Sequence, residues 1–234
     1  MIILRSALFN AVFFGVTFGL TLAATAVRLV SPERVLDVAM LWGRLLVAAA
    51  RIICGIRLDV TGLENIPPGA ALIASRHQSA FDTFVWLTLV PRCCYVFKDD
   101  LLRIPLFGPL VIAAGMIAID REGRAGAMRY LLREAERAVR EDRQIVIFPE
   151  GTRGEPGRRL ALQPGIAALA ARSGLPVIPV STDSGLCWGR RAFRKRPGTI
   201  RIVIGRAIPA QTERRSLMRA LEDGMEAIDR VGAS

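Results

Sequence analysis

Ala70-Ala71-Leu72-Ile73-Ala74-Ser75-Arg76-His77-Gln78-Ser79-Ala80-Phe81-Asp82 is the stretch that decides how this chain is read. The apolar run Ala70–Ala74 predicts a buried strand. His77 then emerges where a strand gives way to a loop, a usual station for reactive groups. It is the chain's one histidine, and imidazole is the side chain whose unperturbed pKa lies nearest neutrality, which suits a general base. Four residues separate it from Asp82. On a continuous helix five steps turn through roughly 500°, leaving the two side chains ~140° apart. For Asp82 to accept a hydrogen bond from the imidazole, the intervening chain must leave regular helix, with His77 in the loop and Asp82 near the start of the next helix. Asp82 then fixes the tautomer and stabilises the imidazolium as it forms. The plainer reading is an Asp82 helix cap beside a hydrogen-bonded structural histidine.

Outward from this stretch, further short strands are predicted at Ile56–Thr61, Cys93–Phe97, Met116–Ile119, Ile145–Phe148, Val177–Ser181 and Ile200–Ile204. Helical patterns lie between them. The clearest is Arg124–Arg140, where Met128, Leu131, Leu132, Ala135 and Val139 form an apolar stripe. Thr212–Ile228 reads as a closing amphipathic helix. Alternating strands and helices predict an α/β fold: a mixed, mostly parallel sheet flanked by helices.

The first third has a different texture. Ser6–Val27 carries no charge; as a helix it extends ~33 Å, enough for a hydrocarbon core of ~30 Å. It is longer than the apolar part of a cleaved signal peptide, and Thr25-Ala26-Val27 makes a poor cleavage site. Glu33–Ile56 follows Ser31-Pro32, which suits a Ser cap with Pro at the first helical position. Asp37, Arg44 and Arg51 recur every seven residues and share one stripe of this second helix, a pattern for a helix lying in the membrane interface or packed on the first. The expectation is a membrane-associated helical hairpin over residues 1–56 and a second unit over 57–234. One true span and a hairpin dipping into a single leaflet both remain open.

Composition narrows the partners. The chain has 234 residues, 52% of them hydrophobic, and a net charge of +11 carried almost wholly by arginine, with Lys98 and Lys195 the only lysines. Such a protein seeks anions. Aromatics make up 6% and no RNA-binding aromatic signature occurs, so nucleic acid is not an expected partner. Cys54, Cys93, Cys94 and Cys187 include no C-x-x-C pair, which argues against zinc and implies no disulfide framework. Arg190, Arg191, Arg194, Lys195 and Arg196 suit anionic headgroups, an acidic carrier protein or simply a solvated face.

Three more blocks carry polar chemistry. Gly115-Met116-Ile117-Ala118-Ile119-Asp120-Arg121 reads as a strand ending in an arginine placed to hold a phosphate by paired hydrogen bonds; a surface Asp120–Arg121 pair is the alternative. Gln144–Ile147 reads as a buried strand running into Phe148-Pro149-Glu150-Gly151-Thr152-Arg153, a turn that offers N–H groups and a guanidinium to an anion. Leu175-Pro176-Val177-Ile178-Pro179-Val180-Ser181 has two prolines, which predict an edge or irregular strand.

Together the four blocks, in this order across Ser75–Ser181, resemble the glycerolphosphate acyltransferase superfamily, and within it the lysophosphatidate (1-acylglycerol-3-phosphate O-) acyltransferases. Ser184-Gly185-Leu186-Cys187-Trp188-Gly189-Arg190-Arg191 extends the likeness. The resemblance implies His77 as general base with Asp82 as its partner. It implies Gly115 and Arg121 in a glycerol-phosphate site, and Glu150, Gly151, Thr152 and Arg153 completing acceptor binding, with Arg153 on the phosphate. Pro179 falls in the strand tied to the acyl donor or its support. Implied substrates are lysophosphatidate and an acyl thioester, acyl-CoA or acylated carrier protein, with membrane lipids as surroundings and no metal or further cofactor. A cytoplasmic-membrane location with the site facing the cytoplasm is implied too; the arginines flanking Ser6–Val27 are too balanced to orient the chain.

Two departures stand out. Arg76 occupies a position where the family often has Asn or Lys. Gln163-Pro164-Gly165 lacks the family's frequent lysine, with Arg158 or Arg159 as nearby replacements. Competing functions are acylation of another lyso-lipid and a non-catalytic membrane lipid-binding protein. A lipid hydrolase lacks its nucleophile elbow, since no G-x-S-x-G occurs.

Overall fold

All of the predicted apolar runs become strands of one seven-stranded sheet in the computed structural model, which describes residues 1–119, 124–210 and 213–232. Two long helices come first, α1 (Ile2–Val30) and α2 (Val35–Cys54). Then follow β1 (Ile56–Thr61), β2 (Ala71–Ser75), α3 (Asp82–Leu89), β3 (Cys93–Lys98), α4 (Phe107–Ala113) and β4 (Ile117–Ile119). After them come α5 (Arg124–Arg140), β5 (Gln144–Ile147), α6 (Gly165–Ser173), β6 (Val177–Thr182), α7 (Ser184–Cys187), β7 (Gly198–Ile204) and α8 (Arg214–Gly232). Thr212, the expected first residue of the last helix, lies outside the described residues.

The strand order is β1-β7-β6-β2-β5-β3-β4. From β6 to β4 every neighbour is parallel; β7 runs antiparallel to β6, and β1 pairs parallel with β7. The sheet is therefore mixed and mostly parallel, covered by helices on both faces. Alternation along the strands builds the two layers. Ile73, Tyr95, Val146 and Val180 pack with residues of α1 to α4. Leu72, Val96, Ile145 and Val177 pack with α5, α6 and α8 through Leu131, Leu169 and Leu221.

Register places the site. Ala74 of β2 pairs with Ile147 of β5, and Ser75 with Val180 of β6. The loops after β2 and β5 thus leave the sheet side by side at the carboxyl ends of adjacent parallel strands, where α/β sheets place their ligands.

The proline strand corrects an expectation. β6 is wholly buried and central rather than an edge. Its irregularity is real and lies toward β7. Val180 pairs with Ile204 and Val177 bridges Ile208, so two residues of β6 face three of the other strand. That bulge falls where Pro179 lacks its N–H. Gly205 donates its N–H to the Pro179 carbonyl at 2.8 Å.

At the N-terminus, Ser31 makes no side-chain cap; Pro32 opens a short 3₁₀ turn, Pro32–Arg34, before α2. Asp37, Arg44 and Arg51 are exposed together on α2, as their heptad spacing requires. The opposite face presses on α3, where a Cβ at Gly43 would stand 2.9 Å from the Phe84 carbonyl oxygen. The step from hairpin to sheet comes at left-handed Gly55, yet one apolar core crosses it, joining Phe9, Ala24 and Leu46 to Ile73, Phe84 and Trp188.

Candidate active site

Asp82 is the first residue of α3, and its buried carboxylate turns back over the loop that carries His77. Oδ2 accepts the N–H groups of Gln78 at 2.7 Å and Ser79 at 2.8 Å, and lies 3.1 Å from His77 Nδ1. An oxygen already accepting two N–H bonds is an acceptor for the third, so the ring proton sits on Nδ1 and the Nε2 lone pair is left outward. The loop breaks helical geometry between His77 and Asp82, as their spacing demands. One carboxylate shapes the loop and orients the imidazole, which merges the plain and functional readings of the pair.

The imidazole stacks on Phe148, with centroids 4.1 Å apart and an 18° tilt. Arg153 Nε donates to its Nε2 at 3.3 Å. The Arg153 pKa is drawn below its ordinary value by burial and by the Arg190 guanidinium, against the pull of Asp82.

Glu150 faces inward rather than toward solvent. Oε1 accepts from Arg76 Nη1 at 2.8 Å and Oε2 from the His77 backbone N–H at 3.2 Å. Burial pushes its carboxyl pKa up, opposed by the His77 N–H and Arg76. Arg76 in turn grips Asp229 of α8 through Nε and Nη2, with Nη2 at 2.8 Å. Burial works against the Arg76 charge, but Asp229 and Glu150 outweigh it and raise its pKa. Asp229 also accepts from the Ser181 hydroxyl. A chain of polar contacts thus runs from α8 through Arg76 and Glu150 to the backbone of His77.

A cavity of about 670 Å³ opens beside this arrangement. His77, Gly151, Thr152, Arg153, Arg190, Arg191 and Lys98 line its polar side. Its apolar side is built by Leu20 and Ala24 of α1, Val38 and Trp42 of α2, Leu87 of α3 and Leu110 of α4. Trp42 Nε1 donates to Thr17 at 2.9 Å, tying the two hairpin helices at the cavity wall.

The structure therefore brings His77, Asp82, Gly151, Thr152 and Arg153 to one place, with Glu150 directly behind. It does not bring Gly115 to the wall. The lining passes from Ala114 to Met116, while Gly115 has a φ of +73° and a Cβ there would fall 1.6 Å from Arg143 Nη1. Arg143 Nη2 donates to the Cys93 and Ala114 carbonyls, each at 2.7 Å, so this glycine makes room for a buried guanidinium. Arg121 and Asp120 lie outside the described residues. Pro179 sits inside the sheet, and Arg159 is turned to Glu226 of α8 at 2.6 Å. Sequence reasoning missed Asp229, the place of Arg190 and Arg191 on the cavity's rim, and the hairpin's share of the cavity. The one available signal was Arg76, a charge beside the histidine in need of a partner.

Residues 57–183 match the Acyltransferase family. The chain is 36% identical over 186 residues to a 1-acyl-sn-glycerol-3-phosphate acyltransferase of Pseudomonas aeruginosa, covering 80% of this chain and 72% of that one. A mouse 1-acyl-sn-glycerol-3-phosphate acyltransferase alpha is 33% identical over 143 residues, 60% of this chain and 50% of its own. The crystal structure of the 1-acyl-sn-glycerophosphate (LPA) acyltransferase of Thermotoga maritima shares the fold, with a TM-score of 0.80 at 21% identity over 100% of this chain and 99% of that one. On its sequence this chain belongs to the Acyltransferase family of enzymes.

Proposed function

We propose that this enzyme transfers a fatty acyl group from an acyl thioester, acyl-CoA or acyl carrier protein, to the sn-2 hydroxyl of 1-acylglycerol-3-phosphate, giving phosphatidate. The observation that carries the reading is the His77 Nε2 lone pair facing the junction of an apolar cavity with a guanidinium rim. An acyl chain suits the first surface and a phosphate the second. The names of the Pseudomonas and mouse relatives support the acceptor.

In this reading the acceptor hydroxyl displaces Arg153 from Nε2 and hydrogen-bonds there. As its oxygen attacks the thioester carbonyl carbon, the proton passes to Nε2, and Asp82 stabilises the imidazolium through Nδ1–H. The tetrahedral intermediate collapses by breaking the C–S bond, and the departing thiolate takes the proton from Nε2. The residues carry the transfer themselves, without metal or further cofactor. Arg153, freed from the ring, pairs with the acceptor phosphate, while Gly151 and Thr152 shape the same rim.

The hairpin supplies the attachment. α1 is one helix long and apolar enough to cross a membrane, with a mean hydropathy of 1.8. Yet Ser6, Phe9 and Ala24 are buried against the protein, and Phe14, Phe18 and Leu22 on the other side are exposed. A helix packed lengthwise on its own catalytic unit favours lying in one leaflet over crossing alone. We place the protein on the membrane in this way, with the site at the cytoplasmic surface.

The test is purified protein supplied with lysophosphatidate, with competing lyso-lipids, and with both donor types. Phosphatidate is the expected product, and His77→Ala should lower its rate by roughly 10²–10⁴ with vesicle binding intact. Unchanged turnover in His77→Ala refutes the base assignment.

A further inference from the structure

Arg190 and Arg191 read from sequence as surface charge, yet both line the cavity that holds His77 and Arg153. Each is exposed, and among the described residues neither has a carboxylate partner. Lys98, also on that rim, is paired with Asp100 at 2.5 Å. Among the described residues, three guanidiniums thus converge on one opening and Asp100 is the one acid in its lining, an arrangement of like charges that an anion relieves. The backbone is held to this shape. Arg191 has a φ of +55°, unusual for a residue with a side chain. Immediately after it the chain is clasped to α1: Lys195 donates its backbone N–H to the Ser6 hydroxyl at 2.9 Å and its ammonium to Asn10. That ammonium also lies 4.7 Å from the Trp188 ring centre.

We propose that Arg190 and Arg191 form, with Arg153, a subsite for a phosphate monoester, and that through it they select the acceptor by headgroup. This rests on the function proposed above and deepens it. The acceptor's phosphate is a near neighbour of its reacting hydroxyl, so it must sit close to His77 Nε2. Arg153, displaced from that nitrogen by the acceptor hydroxyl, offers one planar fork, which covers one edge of a group with three acceptor oxygens and nearly two charges. Arg190 and Arg191 supply donors for the rest. A phosphodiester headgroup carries one charge, fewer free oxygens and added bulk, and so fits the same place poorly.

The experiment is steady-state kinetics of Arg190→Gln/Arg191→Gln in a neutral detergent, varying lysophosphatidate and acyl-CoA separately. Because both side chains are exposed, the fold should hold, and an unchanged melting temperature checks this. The expected result is a KM for lysophosphatidate raised ~10–100-fold, the loss of charge-assisted hydrogen bonds. The kcat and the KM for acyl-CoA should stay near wild type, and the preference for lysophosphatidate over a lysophosphatidylglycerol should collapse. An unchanged lysophosphatidate KM and preference overturns the proposal. So does a rise confined to the acyl-CoA KM, which would move the phosphate to the donor, or a loss only of binding to anionic vesicles, which would make these arginines surface contacts. If the wild type forms no phosphatidate, the proposed function fails by itself. The subsite is then read by calorimetric binding of glycerol 3-phosphate, and equal binding by wild type and variant overturns it.

Discussion

Replacing Arg76 by Met tests whether the polar chain behind His77 holds the loop. Met keeps the volume of the arginine stem and removes the guanidinium that bridges Glu150 and Asp229. The Glu150 side chain is 2% exposed; among the described residues, without Arg76 its carboxylate keeps the His77 N–H at 3.2 Å alone. Asp229, at 26% exposure, retains water and the Ser181 hydroxyl, so Glu150 carries the penalty. Removing one partner of a buried pair costs about 3–5 kcal/mol, a large share of a total stability of about 5–15 kcal/mol. For a chain of this size that is a fall in melting temperature of roughly 6–20 °C. Adding Glu150→Gln removes the stranded charge and should return about 1–3 kcal/mol. Thermal unfolding of wild type, both single variants and the double variant in one detergent closes the cycle. A loss under about 1 kcal/mol in Arg76→Met, or a coupling below ~0.5 kcal/mol, refutes the account.

Glu150→Gln alone carries a pH signature. Burial raises the native carboxyl's pKa, so the folded protein holds that proton more tightly than the unfolded chain. Its contribution is full below the unfolded value of about 4.3 and is lost as pH rises through the native one; urea midpoints across that window should fall more steeply in wild type than in Glu150→Gln, where Asp183, also raised by burial, still titrates. Gly115→Ala forces a Cβ onto Arg143 at a left-handed backbone position and should lower stability by about 2–4 kcal/mol, read as a urea midpoint; an unchanged midpoint contradicts the packing described. Asp82→Asn keeps an oxygen for the Gln78 and Ser79 N–H groups but removes the charge facing the imidazolium, so kcat should drop roughly 10²–10⁴-fold with KM little altered; a kcat near wild type argues against the orienting role. Phe14→Glu/Phe18→Glu alters two side chains that are 68% and 66% exposed. At about 1.5–3 kcal/mol per buried phenylalanine, vesicle co-sedimentation should fall at least ~100-fold, and unaltered binding excludes this face as the membrane contact.

Local pattern made much of the fold legible. The runs from Ile56 to Ile204 announced their strands through short apolar stretches bounded by turns, and the stripe from Met128 to Val139 announced α5. The position of β6 was hidden because Pro179 signals a missing donor, not where in a sheet the donor is missing. Only the pairing with Ile204 and Ile208, set by a one-residue offset in the other strand, shows that a central strand tolerates it. The His77–Asp82 spacing foretold a broken helix because helical geometry forbids the contact otherwise. The partner of Arg76 was invisible for the opposite reason: 153 positions separate it from Asp229, and no local rule spans that interval. Gly115 looked like chemistry because glycine before a strand suits both a ligand and a buried guanidinium.

Thr17, Leu20 and Val38 give the cavity a side that the sheet does not provide. On the proposed membrane attachment, the hairpin that holds the protein to lipid is also a wall of its cavity. A fragment trimmed back to β1 for the sake of solubility would be a trough lacking one bank, whatever its remaining strands retained. On the proposed function, the same shared partition would couple the bilayer to turnover: a lipid that changes how far the hairpin leans from α4 would change the space left for a fatty chain without touching any reacting atom.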